Sequence, residues 1–223
     1  MLIKLKSVLL LLAISSIGLS NLSAQKDVES NQDNKRLYKK LGFYDIRGTN
    51  SVDIAAGSTL ITGDFPEPEF KVYFRLGYKR FITEHLGVSI AFNKYNLAFN
   101  ETFNEGFVSF DFNLEYLMAP FSNISPYAYG GYSYNASSDF QTTGPKVQGG
   151  LGVEFIVFKK VGLKIFGEYN YVFSKKTSPI IQEENSISFL RLGLGLNLYF
   201  GGQKTKERLL EEVDTVIKSN IIK

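Results

Sequence analysis

Phe189–Gln203 reads FLRLGLGLNLYFGGQ. Leu190, Leu192, Leu194, Leu196, Leu198 and Phe200 fall on every second residue, with Arg191, Gly193, Gly195, Asn197 and Tyr199 between them. A period of two belongs to a β-strand with one apolar face and one face that is polar or bare. Whether the apolar face meets a protein core or lipid decides the fold, and the rest of the chain supplies the answer.

The alternation recurs along the sequence and predicts strands at 51–60, 70–82, 86–96, 107–117, 126–134, 146–158, 161–173 and 187–200. That is about eight strands, each close to the roughly 9–11 residues a tilted strand needs to cross a bilayer. Their connectors differ in length. TEH, APFSNIS and KKVG are short, while ITGDFPEPE, LAFNETFNEG, NASSDFQTTGP and SKKTSPIIQEENS are long. Short and long alternate, as expected for a barrel with tight turns at one side of a membrane and loops at the other.

The two faces of each strand differ in size as well as polarity. Val72, Phe74, Leu76 and Tyr78 oppose Arg75 and Lys79, and Val108, Phe110, Phe112 and Leu114 oppose Asp111 and Glu115. Leu151, Val153 and Phe155 oppose Gly150, Gly152 and Glu154; Leu163 and Ile165 oppose Lys164 and Glu168. An eight-stranded barrel has a narrow interior that side chains fill. Large residues outward with small or polar ones inward therefore suit an inside-out barrel in lipid. The competing reading, a soluble lipocalin-like barrel, needs water-facing sides richer in charge than the first, fifth and eighth strands provide. Tyr73, Tyr95, Tyr116, Tyr127, Tyr171 and Tyr199 lie near strand ends and are expected to form interfacial girdles. The predicted fold class is all-β: a closed antiparallel transmembrane β-barrel of about eight strands with a short C-terminal amphipathic helix.

The flanks read differently. Lys4 and Lys6 precede the apolar run SVLLLLAISSIG, and Ala24 offers a small residue before Gln25, so residues 1–24 read as an export signal. Residues 25–49 are polar, charged and without a clear period, and read as a periplasmic lead-in. The barrel occupies 50–200. Residues 201–223 read as a periplasmic tail in which Leu209, Leu210, Val213, Val216 and Ile217 recur at helical spacing. That stripe either packs on its own barrel rim or docks a protein partner, and the sequence leaves both open. Both termini are expected in the periplasm, with the barrel in the cell outer membrane and in contact with its lipid.

Composition excludes several chemistries. The 223 residues contain no cysteine, so disulfides, thiol catalysis and Cys-ligated metal are absent. The net charge of +3 is spread along the chain without a dense basic block, which argues against nucleic-acid binding. His85, the single histidine, lies in a predicted short turn with no Ser or carboxylate constellation beside it, so no catalytic residue is assigned. No metal-ligand spacing and no cofactor-binding motif is found. The polar faces place Arg75, Lys79, Asp111, Glu115, Glu154, Lys164, Glu168 and Arg191 in one lumen. Near-balanced signs favour a salt-bridge plug over an ion path, because buried charges are tolerated when paired.

From about Asn50 to Phe200 the chain resembles the small eight-stranded outer-membrane barrels, similar in architecture to the OmpA membrane domain. LSAQ near the signal cut and NLYFGG at the last strand resemble barrel proteins of the Bacteroidetes. GYKRF, LAFNETFNEGFVSFDFNLEY, QGGLGVEF and EYNYVFS are similar to a barrel-like domain of curli-type secretion proteins. The architectural resemblance implies a fold and location more than an activity. With the lone His85 outside any catalytic constellation, the expected function is a non-enzymatic outer-membrane barrel, a structural or accessory subunit of an envelope or secretion assembly. A small porin-like barrel for solute passage is the alternative.

Overall fold

The computed structural model describes residues 22–63, 67–100, 103–140, 142–173 and 187–211. Helix α1 (Leu22–Ile46) leads into β1 (Asn50–Thr62), followed by β2 (Pro68–Glu69), β3 (Lys71–Phe81), β4 (Leu86–Phe99) and β5 (Phe103–Leu117). The chain continues through β6 (Ile124–Ser137), β7 (Thr143–Phe158), β8 (Val161–Val172) and β9 (Ile187–Phe200) to helix α2 (Gln203–Glu211). The two-residue β2 prolongs β3 along β4 with its register displaced by one, a bulge at Phe70. The wall therefore consists of eight full strands, each antiparallel to its sequence neighbours. The last strand returns to the first, from Asn50 opposite Phe200 to Thr62 opposite Ser188. No sheet edge is left open. Closure satisfies every ladder within the wall, which a structure in hydrocarbon requires.

The pleat sorts the side chains. On β9, Phe189, Arg191, Asn197 and Tyr199 are buried, while Leu192, Leu194, Leu196, Leu198 and Phe200 are exposed. Phe110, Phe112 and Leu114 on β5 and Leu163 and Ile165 on β8 are exposed in the same way. The opening stretch thus turns its leucine row outward and Arg191 into the barrel. No helix among the described residues is long and apolar enough to cross a membrane, so only the strands provide crossing elements.

The three links that the sequence reads as short, residues 82–85, 118–123 and 159–160, lie at one end of the barrel, and both helices lie at that same end. Gly48, at φ 88°, ends α1 in the left-handed region, and a Cβ there would sit 2.6 Å from the Phe200 carbonyl oxygen. The open carbonyls at the α1 C-terminus are taken up by the β7–β8 turn. The Lys160 amide donates to Ile46 O and its ammonium to Tyr44 O, each at 2.8 Å. Lys160 itself holds a left-handed φ of 68° within this contact.

Three features differ from the sequence reading. The lead-in is helical over Leu22–Ile46, although its polar face pattern carries no helical period. Tertiary contact of its last turn with the barrel holds it, since helices of this composition gain little from propensity. Second, part of the predicted loop sequence is strand: β4 and β5 are joined by residues 100–102 alone, because their ladder continues to Phe99 opposite Phe103, while the long connector at 174–186 lies outside the described residues. Third, Tyr73, Tyr95, Tyr127 and Tyr199 point into the barrel rather than forming a girdle; Tyr116 is exposed. They share strand parity with the lumen charges, and parity outranks proximity to a strand end. Of the two placements left open for the tail, the described part follows the intramolecular one: α2 packs on the chain's own α1, with Leu209 buried alongside Leu41, Phe43 and Tyr44, while Leu210 is exposed. Most of the predicted export signal, and Val213, Val216 and Ile217, lie outside the described residues.

Candidate functional site: the charged lumen and its helical cap

The inward parity of five strands brings the eight lumen residues into one interior. Arg191 of β9 is the hub. Its guanidinium lies 3.3 Å from Asp111 Oδ2 and 3.0 Å from Glu168 Oε1, and it donates to Ser109 Oγ at 3.4 Å. Tyr95, Tyr73 and Phe189 enclose it, with ring centroids 4.2, 4.9 and 5.2 Å from its central carbon. Arg75 reaches the other oxygen of Glu168 at 3.4 Å, which also accepts from Tyr129 OH at 2.9 Å. Lys79 pairs with Glu115 at 2.5 Å. Lys164 does not pair with the neighbouring Glu154 of β7; it pairs with Asp53 of β1 at 2.6 Å.

Three charged residues complete this network without having been singled out from sequence. Asp53 bridges Lys164 and Arg75, the latter at 3.4 Å. Lys146 lies 3.5 Å from Asp111 and donates to Asn170 Oδ1 at 2.6 Å. Both were accessible to parity: Asp53 alternates with Ser51 and Ala55, and Lys146 with Gln148 and Glu154. Arg47 had no such signal. It enters from the end of α1, donates to Glu154 Oε2 at 3.0 Å, Pro120 O at 2.6 Å, Ser122 O at 3.1 Å and Ser125 Oγ at 3.0 Å, and bolts the mouth of the barrel. Glu154 also accepts from Asn197 at 2.6 Å and from Tyr199.

Charge balance and packing both fill the space. The buried wall charges among the described residues are Arg75, Lys79, Lys146, Lys164 and Arg191 against Asp53, Asp111, Glu115, Glu154 and Glu168, five of each sign. Glycines face the inward aromatics. A Cβ on Gly152 would lie 2.5 Å from the Tyr127 ring, and one on Gly150 2.5 Å from Tyr129. The polar space left beside Asp53, Arg75, Glu115 and Lys164 measures about 10 Å³, at most one water.

Outside the barrel, the helical cap has its own electrostatics. Asp45 accepts from Lys206 at 2.7 Å and Lys159 at 2.9 Å, and these bonds pull its carboxyl down to about 2. Burial pushes the Tyr44 phenol up, aided by the Glu84 carboxylate, and burial draws the Lys160 ammonium down. His85 is held at the rim, its Nδ1 2.8 Å from Leu117 O and its ring stacked on Tyr116. Among the described residues no three His, Asp or Glu side chains are grouped to hold a metal.

An apolar outer wall around a charged interior inverts the pattern of a soluble barrel. The family model of the outer membrane protein beta-barrel domain matches residues 9–200. The chain belongs to this family. It is an outer-membrane barrel in contact with membrane lipid. Neisserial surface protein A has the same fold, with 17% identity, a TM-score of 0.55 and coverage of 68% of this chain and 97% of that one. The N-terminal barrel of OprF from Pseudomonas aeruginosa is 12% identical, with a TM-score of 0.42 and coverage of 67% and 98%. Ail, the attachment invasion locus protein of Yersinia pestis, is 18% identical, with a TM-score of 0.41 and coverage of 67% and 99%. A search of curated proteins finds no match.

Proposed function

We propose that this outer-membrane barrel is a closed, non-enzymatic scaffold, a structural or accessory subunit of an envelope or secretion assembly. Both termini face the periplasm, and residues 1–24 are the export signal. The observation that carries the reading is the filled lumen, with balanced buried charges, inward aromatics seated on glycine and a mouth bolted by Arg47. An ion path needs a continuous wet track, and paired charges in this packing oppose one. The α1–α2 pair then forms the periplasmic surface on which a partner would be met.

Purified protein in a planar bilayer is expected to give no stable conductance steps; regular large steps would return the barrel to the porin-like alternative. Co-purification from solubilised outer membranes tests the subunit role. A stoichiometric partner lost on deletion of 203–223 supports it, and a solitary barrel with and without the tail refutes it.

A further inference from the structure

Among the described residues, the outward positions of the eight strands carry two charged side chains, Arg80 on β3 and Lys94 on β4. Between them the outer wall is indented. A groove of about 330 Å³ is lined by Leu76, Tyr78, Ile90, Phe92 and Phe110. It opens where Gly77 and Ala91, paired across β3 and β4, turn inward. Phe92 leans against Phe110 at 5.4 Å between ring centroids along one flank. At the short-turn end the groove runs up to a polar cluster. Tyr78 OH donates to Asn50 Oδ1 at 2.6 Å, and Asn50 stands opposite Arg80 in the β1–β3 register.

We propose that this groove holds one acyl chain of an anionic phospholipid from the leaflet at the short-turn end, with the lipid phosphate on Arg80. A charge on a lipid-facing wall is costly at the midplane and tolerated at the interface, where it meets headgroups. Arg80 lies two residues from exposed Ile82 at the strand end, so its guanidinium reaches that level. Guanidinium is the side chain that grips phosphate with two parallel bonds, and a chain descending from it passes Tyr78 and Ile90 to Leu76 and Phe110. Lys94 stands eight residues along β4 from Leu86 and belongs to the opposite interface. The charge complementarity selects an anionic lipid over a neutral one.

Native mass spectrometry of the full chain, released from micelles containing equal phosphatidylglycerol and phosphatidylcholine of matched chains, tests this. The expected result is one retained phosphatidylglycerol, favoured by roughly tenfold, the worth of a charge-assisted bond. Arg80→Gln brings the two lipids to parity, Lys94→Gln leaves the preference intact, and Ile90→Trp, which fills the groove, lowers retention of both. Gel mobility of the unheated protein confirms that each variant is folded. Equal retention of both lipids by the unaltered chain overturns the proposal. So does a preference lost with Lys94→Gln and kept with Arg80→Gln, retention unmoved by Ile90→Trp in a folded barrel, or displacement of the lipid by inorganic phosphate.

Discussion

Arg191 and Arg47 are both fully buried, and they are held in opposite ways. Arg191 grows from the barrel wall, between aromatic rings, and its carboxylate partners come from strands β5 and β8 of the same wall. Arg47 comes from a helix outside the barrel and enters through the mouth, taking two backbone carbonyls, a hydroxyl and one carboxylate. The first is a structural member, and removing it leaves Asp111 with Lys146 and Glu168 with Arg75 in a wall where five buried acids then face four cations. The second is a bolt, and removing it leaves Glu154 with Asn197 and Tyr199. Buried charge in this molecule is therefore of two kinds, one inseparable from the wall and one separable from it.

Four substitutions press on that difference. Arg191→Met is expected to have the largest effect, a loss of about 3–5 kcal/mol, because it breaks two buried ion pairs at once and leaves an excess of buried acid. Urea unfolding in lipid vesicles measures it, and a loss below about 1 kcal/mol would erase the distinction between wall and bolt. Arg47→Ala should cost less, about 2–3 kcal/mol for bonds to charged and carbonyl acceptors. Its sharper readout is functional: brief current openings in a planar bilayer, which Arg191→Met at matched stability should lack. Gly152→Ala tests whether the lumen is packed, since its Cβ would meet the Tyr127 ring and the Ile165 carbonyl. An overpacking cost of roughly 1–3 kcal/mol is expected, and a silent substitution would mean that the rings are free to move.

Asp45 gives the smallest effect. Its folded carboxyl titrates near 2, below the ordinary 3.8, so its contribution is complete above about pH 4 and fades as pH falls towards 2. Both pairs are solvent-exposed and screened by salt. Acidification is expected to expose α2 to protease before the barrel unfolds, and Asp45→Asn should remove that pH dependence while leaving wall stability unchanged. An equal pH response in the variant would place the sensitivity elsewhere.

The parts of this structure that follow from a period of two were legible in the sequence. Strand parity told Arg191 from Leu192 and Glu168 from Tyr169, because a pleated strand in lipid admits one oily face and one polar face. Parity also contained Asp53 and Lys146, which were passed over because they sit in strands whose other inward residues are small or lie at a strand start. The inward tyrosines were misjudged by weighing position over parity. What depends on contact at a distance was not legible. Arg47 sits in a polar stretch with no period, and its partners are 73 to 107 residues away along the chain. The length of the β4–β5 loop was overestimated for a related reason: residues such as Leu97 and Phe103 extend the ladder only because the strand opposite is there to receive them.

The position of Arg47 also sets an order of events. Its partners lie on the β5–β6 turn, on Ser125 of β6 and on Glu154 of β7, so these segments must all be in place before the bolt is made. Lys160, which ends α1, and Lys206, which ties α2 to α1, likewise belong to segments that follow most of the wall. The cap is therefore expected to take shape last during biogenesis, so that its resistance to protease would serve as a timestamp for a finished barrel.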